Sequence, residues 1–283
     1  MFGIRSATKF AGSILLMATL AACGGTDGDA AVRSQNLEVF TPQQIFERGE
    51  FELARKRSKD AAFFFSEVER LYPYSEWAKQ ALIMQAFTYH AGKDYENSRG
   101  AAQRFIDFYP TDEDAAYAQY LLALSYYDQI DEIGRDQGLT FQALQALRTV
   151  IEVYPDSEYA GSAILKFDLA FDHLAAKEME IGRYYLRQGH FTSAINRFRV
   201  VVEDFQTTSH TAEALHRLVE AYLSLGLVEE AQSAGAILGH NYQSTDWYED
   251  SYKLLTSNGL KLKDRGGNWL SQIYRQSVKG EWL

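Results

Sequence analysis

Several things are scarce in this chain, and each scarcity excludes something. A single cysteine, Cys23, rules out an internal disulfide. Four prolines in 283 residues, with many alanines, leucines, glutamines and tyrosines, point to helix over most of the length. A basic excess is missing: 28 Lys and Arg stand against 38 Asp and Glu, a formal charge of −10, whereas nucleic-acid binding needs a basic footprint. After the first 22 residues no apolar run approaches the length of a membrane span. Catalytic patterns are missing too, with no Gly-x-Ser-x-Gly elbow and no Gly-rich phosphate loop. The histidines, at His90, His173, His190, His210, His216 and His240, are scattered. His210 and His216 are six apart, which is not the one-face spacing of helical metal ligands. Glu229-Glu230 falls at a turn, where both carboxylates are solvated. The residues predict no catalytic, cofactor or metal site, and hence a protein that is not an enzyme.

The N-terminus is informative. Arg5 and Lys9 precede a largely apolar stretch, Phe10 to Leu20, and no acid occurs before Asp27. Small residues Ala21 and Ala22 then lead to Cys23. A basic start, a short apolar core and a small-residue exit make a secretory signal, too short for a permanent span. Leu20-Ala21-Ala22-Cys23 resembles the lipobox of bacterial lipoproteins, in which the cysteine is acylated and becomes the mature N-terminus. The alternative is an ordinary signal followed by a chance cysteine, but a lone thiol has little other use in an exported chain. Residues 1–22 are thus read as signal peptide and 23–41 as lipidated cysteine and linker, with Gly24, Gly25 and Gly28 giving a coil whose reach is on the order of 25 Å. No Asp follows Cys23 directly, which in lipoproteins of this kind is compatible with the outer membrane.

The body repeats. Leu71-Tyr72-Pro73, Phe108-Tyr109-Pro110 and Val153-Tyr154-Pro155 end helical segments, and Phe205-Gln206 and Tyr242-Gln243 are eroded copies. Counting back 15 residues from each terminal position reaches Ser58, Tyr95, Thr140, Phe191 and Val228. Three residues on stand small residues, Ala61, Ser98, Ala143, Ala194 and Ala231. Ten residues on stand apolar ones, Val68, Phe105, Val150, Val201 and Leu238. A small residue lets two helices cross closely, apolar residues fill the groove, and proline ends the helix. This resembles the tetratricopeptide repeat, a helix–turn–helix of about 34 residues. The expectation is an all-α superhelix of five units over 42–243. Ser75 and Ser157, each followed by Glu, are placed to cap the next helix. Such arrays present an extended surface for gripping proteins; most aromatics go to the core and a minority to that surface.

The spacing departs twice from regularity. An insertion near Asp128–Leu139 holds Asp128, Asp131, Glu132, Asp136, Gly134 and Gly138. Residues 160–188 read as helix for longer than one repeat needs, either as one rod or as two with a break near Gly182. Asp246–Thr256 predicts a capping helix. The remainder of 244–283 is a basic amphipathic tail, with Trp269, Leu270, Ile273, Tyr274 and Val278 on one face. It either seeks a membrane or partner groove, or folds back on the acidic repeats as a lid.

Lipobox, linker and five repeats together resemble the BamD family, outer-membrane protein assembly lipoproteins with tetratricopeptide repeats. The resemblance covers about residues 20–243. Its specific parts are Glu69-Arg70-Leu71-Tyr72-Pro73-Tyr74 with Trp77-Ala78, Arg104-Phe105-Ile106 before Tyr109-Pro110-Thr111, the insertion's Arg135-Asp136-Gln137, and Tyr184-Tyr185, Gly189 and Ile195-Asn196-Arg197. Arg57-Ser58-Lys59 departs from the pattern, and the tail extends beyond it. The resemblance implies a scaffold on the periplasmic face of the outer membrane, anchored by its lipid. Its N-terminal repeats would meet unfolded β-barrel precursors. Its C-terminal repeats would meet the POTRA region of BamA, alongside the other lipoproteins of the assembly complex. By carry-over, Asn196, Arg197, Tyr184 and Tyr185 are the partner-binding residues, and the alternative for Arg197 is a solvated helix residue. The rival reading is another repeat lipoprotein, an adaptor for pilus or cell-envelope assembly.

Overall fold

The computed structural model describes residues 37–260; the expectations for Cys23, the signal, most of the linker and the tail from 261 onward lie outside them. The chain divides into a unit ending at Phe40, of which one 3-10 turn at Leu37–Val39 is described, and a unit beginning at Thr41. The described part of the second unit holds eleven helices and no strand. They are α1 (Pro42–Ala54), α2 (Ser58–Leu71), α3 (Glu76–Ala91), α4 (Tyr95–Phe108), α5 (Ala115–Tyr127), α6 (Gly138–Val153), α7 (Ala160–Arg187), α8 (Phe191–Asp204), α9 (Thr211–Ser224), α10 (Val228–Asn241) and α11 (Asp246–Ser257). Each packs on the next, and α1, α3, α5, α7, α9 and α11 also touch in succession. Five hairpins followed by one further helix form the expected tetratricopeptide-type array. Among the described residues no helix is long and apolar enough to cross a membrane.

The start is set by a full capping box. Thr41 Oγ1 accepts the Gln44 N–H at 3.3 Å, Gln44 Oε1 accepts the Thr41 N–H at 3.0 Å, and Pro42 occupies the first helical position. The second helix of every hairpin then closes in the same way. Tyr72, Tyr109, Tyr154, Phe205 and Tyr242 are their C-caps, each donating its N–H to the carbonyl four residues back. In four of these joints a hydroxyl three residues later donates to the cap's carbonyl: Ser75 to Tyr72, Ser157 to Tyr154, Thr208 to Phe205 and Thr245 to Tyr242, at 2.7–2.9 Å. Ser75 also accepts the Ala78 N–H and so caps α3 as expected. Ser157 does not cap α7, because that helix starts two residues later in its repeat than α3 does: its N-cap is Tyr159 and its first helical residue Ala160.

The repeated register fills the core. All five small residues and all five apolar residues picked out by spacing have no exposed surface. Four of the five starting positions open a helix; the exception is Thr140, because α6 begins two residues earlier, at Gly138. A further pattern lies at the crossing of the two helices of a hairpin. Gly49 faces the ring of buried Phe65, and Gly182 faces the ring of buried Phe198, so closely that a Cβ on either glycine would overlap the ring. The glycine supplies the volume that the phenylalanine occupies, which is how a large ring is buried without spreading the helices.

Gly182 therefore has a packing role, and α7 runs unbroken through it for 28 residues. The insertion before α6 is docked onto this long helix. Lys177 donates to the Arg135 carbonyl at 3.1 Å, and His173 Nδ1 lies 3.1 Å from Gln137 Oε1. Within the loop Gln137 also donates to the Ile133 and Arg135 carbonyls, and Asp136 accepts the Gly138 N–H. A loop with this many self-contacts is a built element of the fold rather than slack.

Candidate functional site

The four carried-over residues lie on one hairpin, α7–α8. Its turn is made by Gly189 in the left-handed region (φ +74°), with the His190 N–H donating to the Tyr185 carbonyl at 2.9 Å. Tyr184 and Tyr185 occupy the last turn of α7. Their rings meet edge-on at 5.7 Å, Tyr185 also meets His190 at 6.3 Å, and Tyr184 is 54% exposed. A half-exposed tyrosine held by a second ring loses little freedom when it binds, which suits a contact anchor. Asn196 is exposed in the middle of α8. Arg197, beside it, pairs with Glu178 of α7 at 3.0 Å across the hairpin. It is thus neither a bare solvated residue nor an unoccupied anchor: an oriented guanidinium remains partly open to a second carboxylate. The hairpin brings all four residues together on two adjacent helices, as two groups: the tyrosines by the turn and the polar pair further along.

The residues flanking this hairpin carry a network that spacing alone did not reveal. Arg183 of α7 makes two hydrogen bonds to the Glu213 carboxylate of α9, one of them from Nε at 2.8 Å. Arg217 shares Glu213 and also pairs with Glu220 at 2.7 Å. His216, buried on α9, places Nδ1 2.8 Å from Ser251 Oγ of α11, and Trp247 packs against both His216 and Arg217. Burial by itself would raise the Glu213 carboxyl, but hydrogen bonds and charge from Arg183 and Arg217 outweigh it and hold the group below its usual value. The same balance holds Glu220 down, with burial opposed by His216 and Arg217. The signal available in the sequence was the four-residue spacing of Glu213 with Arg217 and of His216 with Glu220. Arg183 was invisible because it is thirty residues away from its partner. These groups lock α7, α9 and α11 together and leave no open acid–base pair. Among the described residues no cluster of His, Cys, Asp and Glu could hold a metal ion.

The earlier hairpins are arranged differently. Arg104 of α4 reaches Glu69 of α2 at 3.1 Å and Gln85 of α3 at 2.6 Å, joining two phrases that carried the family resemblance. Tyr117 and Tyr120 of α5 both pack on the ring of Tyr159, at 5.1 and 5.3 Å. Burial, with a hydrogen bond and charge from Glu158, pushes the Tyr159 phenol up to about 12, so it stays a neutral donor at any physiological pH. Exposed aromatic side chains recur along these hairpins at Phe51, Tyr74, Phe108 and Phe141.

Comparison with known proteins agrees over most of the chain. The model of the family described as "YfiO: Outer membrane lipoprotein" matches residues 39–237. A Caulobacter vibrioides protein named outer membrane protein assembly factor BamD is 45% identical over 249 residues, which cover 88% of this chain and 81% of the relative. The protein of that name from Rickettsia prowazekii is 38% identical over 241 residues, covering 85% and 96%. Among solved structures, a thermophilic TPR protein of Thermus thermophilus is 20% identical, with a TM-score of 0.33 over 76% of this chain and all of the other. PilW, described as a type IV pilus biogenesis factor, is 12% identical with a TM-score of 0.24 over 74% of this chain and 97% of PilW. Neither score carries an argument; the fold rests on the helix order and register described above.

Proposed function

Because the chain belongs to the YfiO family of outer membrane lipoproteins, we propose that it is a scaffold in outer-membrane protein assembly, held by lipid on Cys23 at the periplasmic face. The observation that carries this reading is the 45% identity to an assembly factor BamD over 88% of the chain. In it, residues 1–22 are removed as a signal, 23–41 tether the body, 42–243 form the protein-binding array, and 244–283 form a capping helix and basic tail.

The partners in this reading are the periplasmic POTRA region of BamA, the other lipoproteins of the complex, and unfolded β-barrel precursors. The BamA contact falls on Tyr184, Tyr185, Asn196 and Arg197. In support, Tyr184 is exposed and braced, and Arg197 keeps donors free beside Glu178. The precursor contact falls on the earlier hairpins, where Tyr74, Phe108 and Phe141 are exposed. An extended barrel strand with alternating aromatic side chains suits such a surface.

Arg197→Glu tests the first contact. The pair with Glu178 is partly buried, so the charge reversal is checked for folding by thermal unfolding and set beside Arg197→Gln, which leaves no like charges facing. Both variants should lose most co-purification with BamA from detergent-solubilised membranes. Unchanged recovery removes Arg197 from the interface. Depletion of the protein tests the wider reading. Loss of many outer-membrane barrels is expected, and a defect confined to pili would overturn it.

A further inference from the structure

We propose that the junction of α1 and α2 is a second membrane contact, a site for the headgroups of anionic phospholipids. The chain is acidic overall, yet residues 48–59 hold Arg48, Arg55, Lys56, Arg57 and Lys59 against only Glu50 and Glu52. Glu52 is fully buried, and it is occupied by Arg48 at 3.0 Å and Arg57 at 3.4 Å. Among the described residues, Arg55, Lys56 and Lys59 form no ion pair, and all three are exposed. The Phe51 ring is 49% exposed and is flanked by the guanidinium carbons of Arg48 at 5.0 Å and Arg55 at 5.3 Å.

Local structure accounts for Arg55 but not for Lys56 and Lys59. Arg55 follows the C-terminal end of α1, where the helix dipole favours a cation. Lys59, however, lies in the first turn of α2, where the dipole disfavours one. Lys56 has φ +60°, a conformation that costs a side chain about 1 kcal/mol and that glycine adopts freely. Lys93 has the same conformation one hairpin later, but Asp94 and Glu96 follow it and no basic cluster forms. The first junction thus combines an exposed ring with three exposed cations that form no ion pair among the described residues, two of them at locally unfavourable positions. A basic cluster with an apolar residue able to enter the headgroup boundary is the chemistry of an anionic lipid surface. An acidic protein segment would match the charge but leave the ring without an apolar partner. α1 begins at Pro42, 19 residues after Cys23, so a lipid on that residue and this patch would provide two attachments, each reinforcing the other.

The inference rests on the anchored reading for where the patch operates, and the experiment separates the two. The lipoprotein is purified from membranes in detergent, the mass of its Cys23 peptide is measured, and the protein is reconstituted into phosphatidylcholine vesicles, with or without about one-third phosphatidylglycerol. Amide exchange at residues 48–60 should slow in the anionic vesicles only, return to the neutral-vesicle rate in roughly 0.5 M salt, and lose its lipid dependence in Arg55→Gln/Lys59→Gln. Phe51→Ser should halve the effect or more while leaving its salt dependence. Equal exchange in the two vesicle types overturns the patch. An unmodified Cys23 overturns the anchor alone, and the patch is then read from sedimentation of the same protein with the same vesicles, in which binding indifferent to phosphatidylglycerol overturns it.

Discussion

The first and fourth hairpins share one crossing and differ in almost everything around it. In each, a glycine in the first helix faces a phenylalanine sixteen residues later in the second: Gly49 with Phe65, Gly182 with Phe198. Each hairpin turns through a left-handed residue, seven positions after that glycine. In the fourth this is Gly189; in the first it is Lys56. The fourth hairpin presents Tyr184, Asn196 and a paired Arg197, and joins its neighbour through Arg183 and Glu213. The first presents an exposed ring flanked by Arg48, which is paired with Glu52, and by Arg55, which forms no ion pair among the described residues. The comparison teaches that these two hairpins share one packing solution at the crossing, while the turn and outer faces differ.

Adding a methyl group breaks the shared part. Gly182→Ala or Gly49→Ala should each lower stability by about 1–3 kcal/mol, since neither ring has exposed surface into which to retreat. Gly182 should be the more costly, having the closer approach; urea denaturation of both variants checks the order. Next in size is the arginine–carboxylate joint by which the fourth hairpin holds its neighbour, where two arginines share one largely buried carboxylate. Glu213→Gln should cost about 1–2 kcal/mol at neutral pH, because Arg183 and Arg217 lose a shared partner. The folded carboxyls of Glu213 and Glu220 are held below their ordinary 4.5. Their contribution is therefore complete above that pH and is lost as pH falls through their lowered values. The difference between wild type and Glu213→Gln should accordingly close in strong acid; a difference that stays constant from neutral pH to about pH 3 would show that the ionised pair contributes nothing. Smallest is the turn. Lys56→Gly should stabilise by less than about 1 kcal/mol, and Gly189→Ala should destabilise by about that amount, as read by thermal unfolding. Equal and same-signed shifts would mean that the two turns are not equivalent.

The array was legible in the sequence wherever one residue type had to recur at one place. Ala61, Ala143 and Ala194 stand where helices cross, Phe105 and Val150 where grooves fill, and Tyr72 and Tyr154 where second helices end. What was not legible depended on partners far apart in the chain or on a residue with two possible uses. Gly182 read equally well as a break or as a site of close packing, and only the ring of Phe198 decides between them. Ser157 had the spacing of a helix cap, but α7 begins three residues after it, at Ala160. Arg197 could be named as a surface residue, while its tie to Glu178 required the hairpin to be formed. The cationic junction was noticed only as a departure at Arg57-Ser58-Lys59, since neither the left-handed backbone at Lys56 nor the exposure of Phe51 follows from composition.

The unbroken α7 has a mechanical consequence. At 1.5 Å per residue its 28 residues make a rod about 42 Å long. Near its start Ser162 bonds Tyr120 of the third hairpin, in its middle His173 and Lys177 hold the insertion, and near its far end Arg183 grips α9. A rod tied at its start, middle and far end holds the third hairpin, the insertion and α9 in one fixed register over that length.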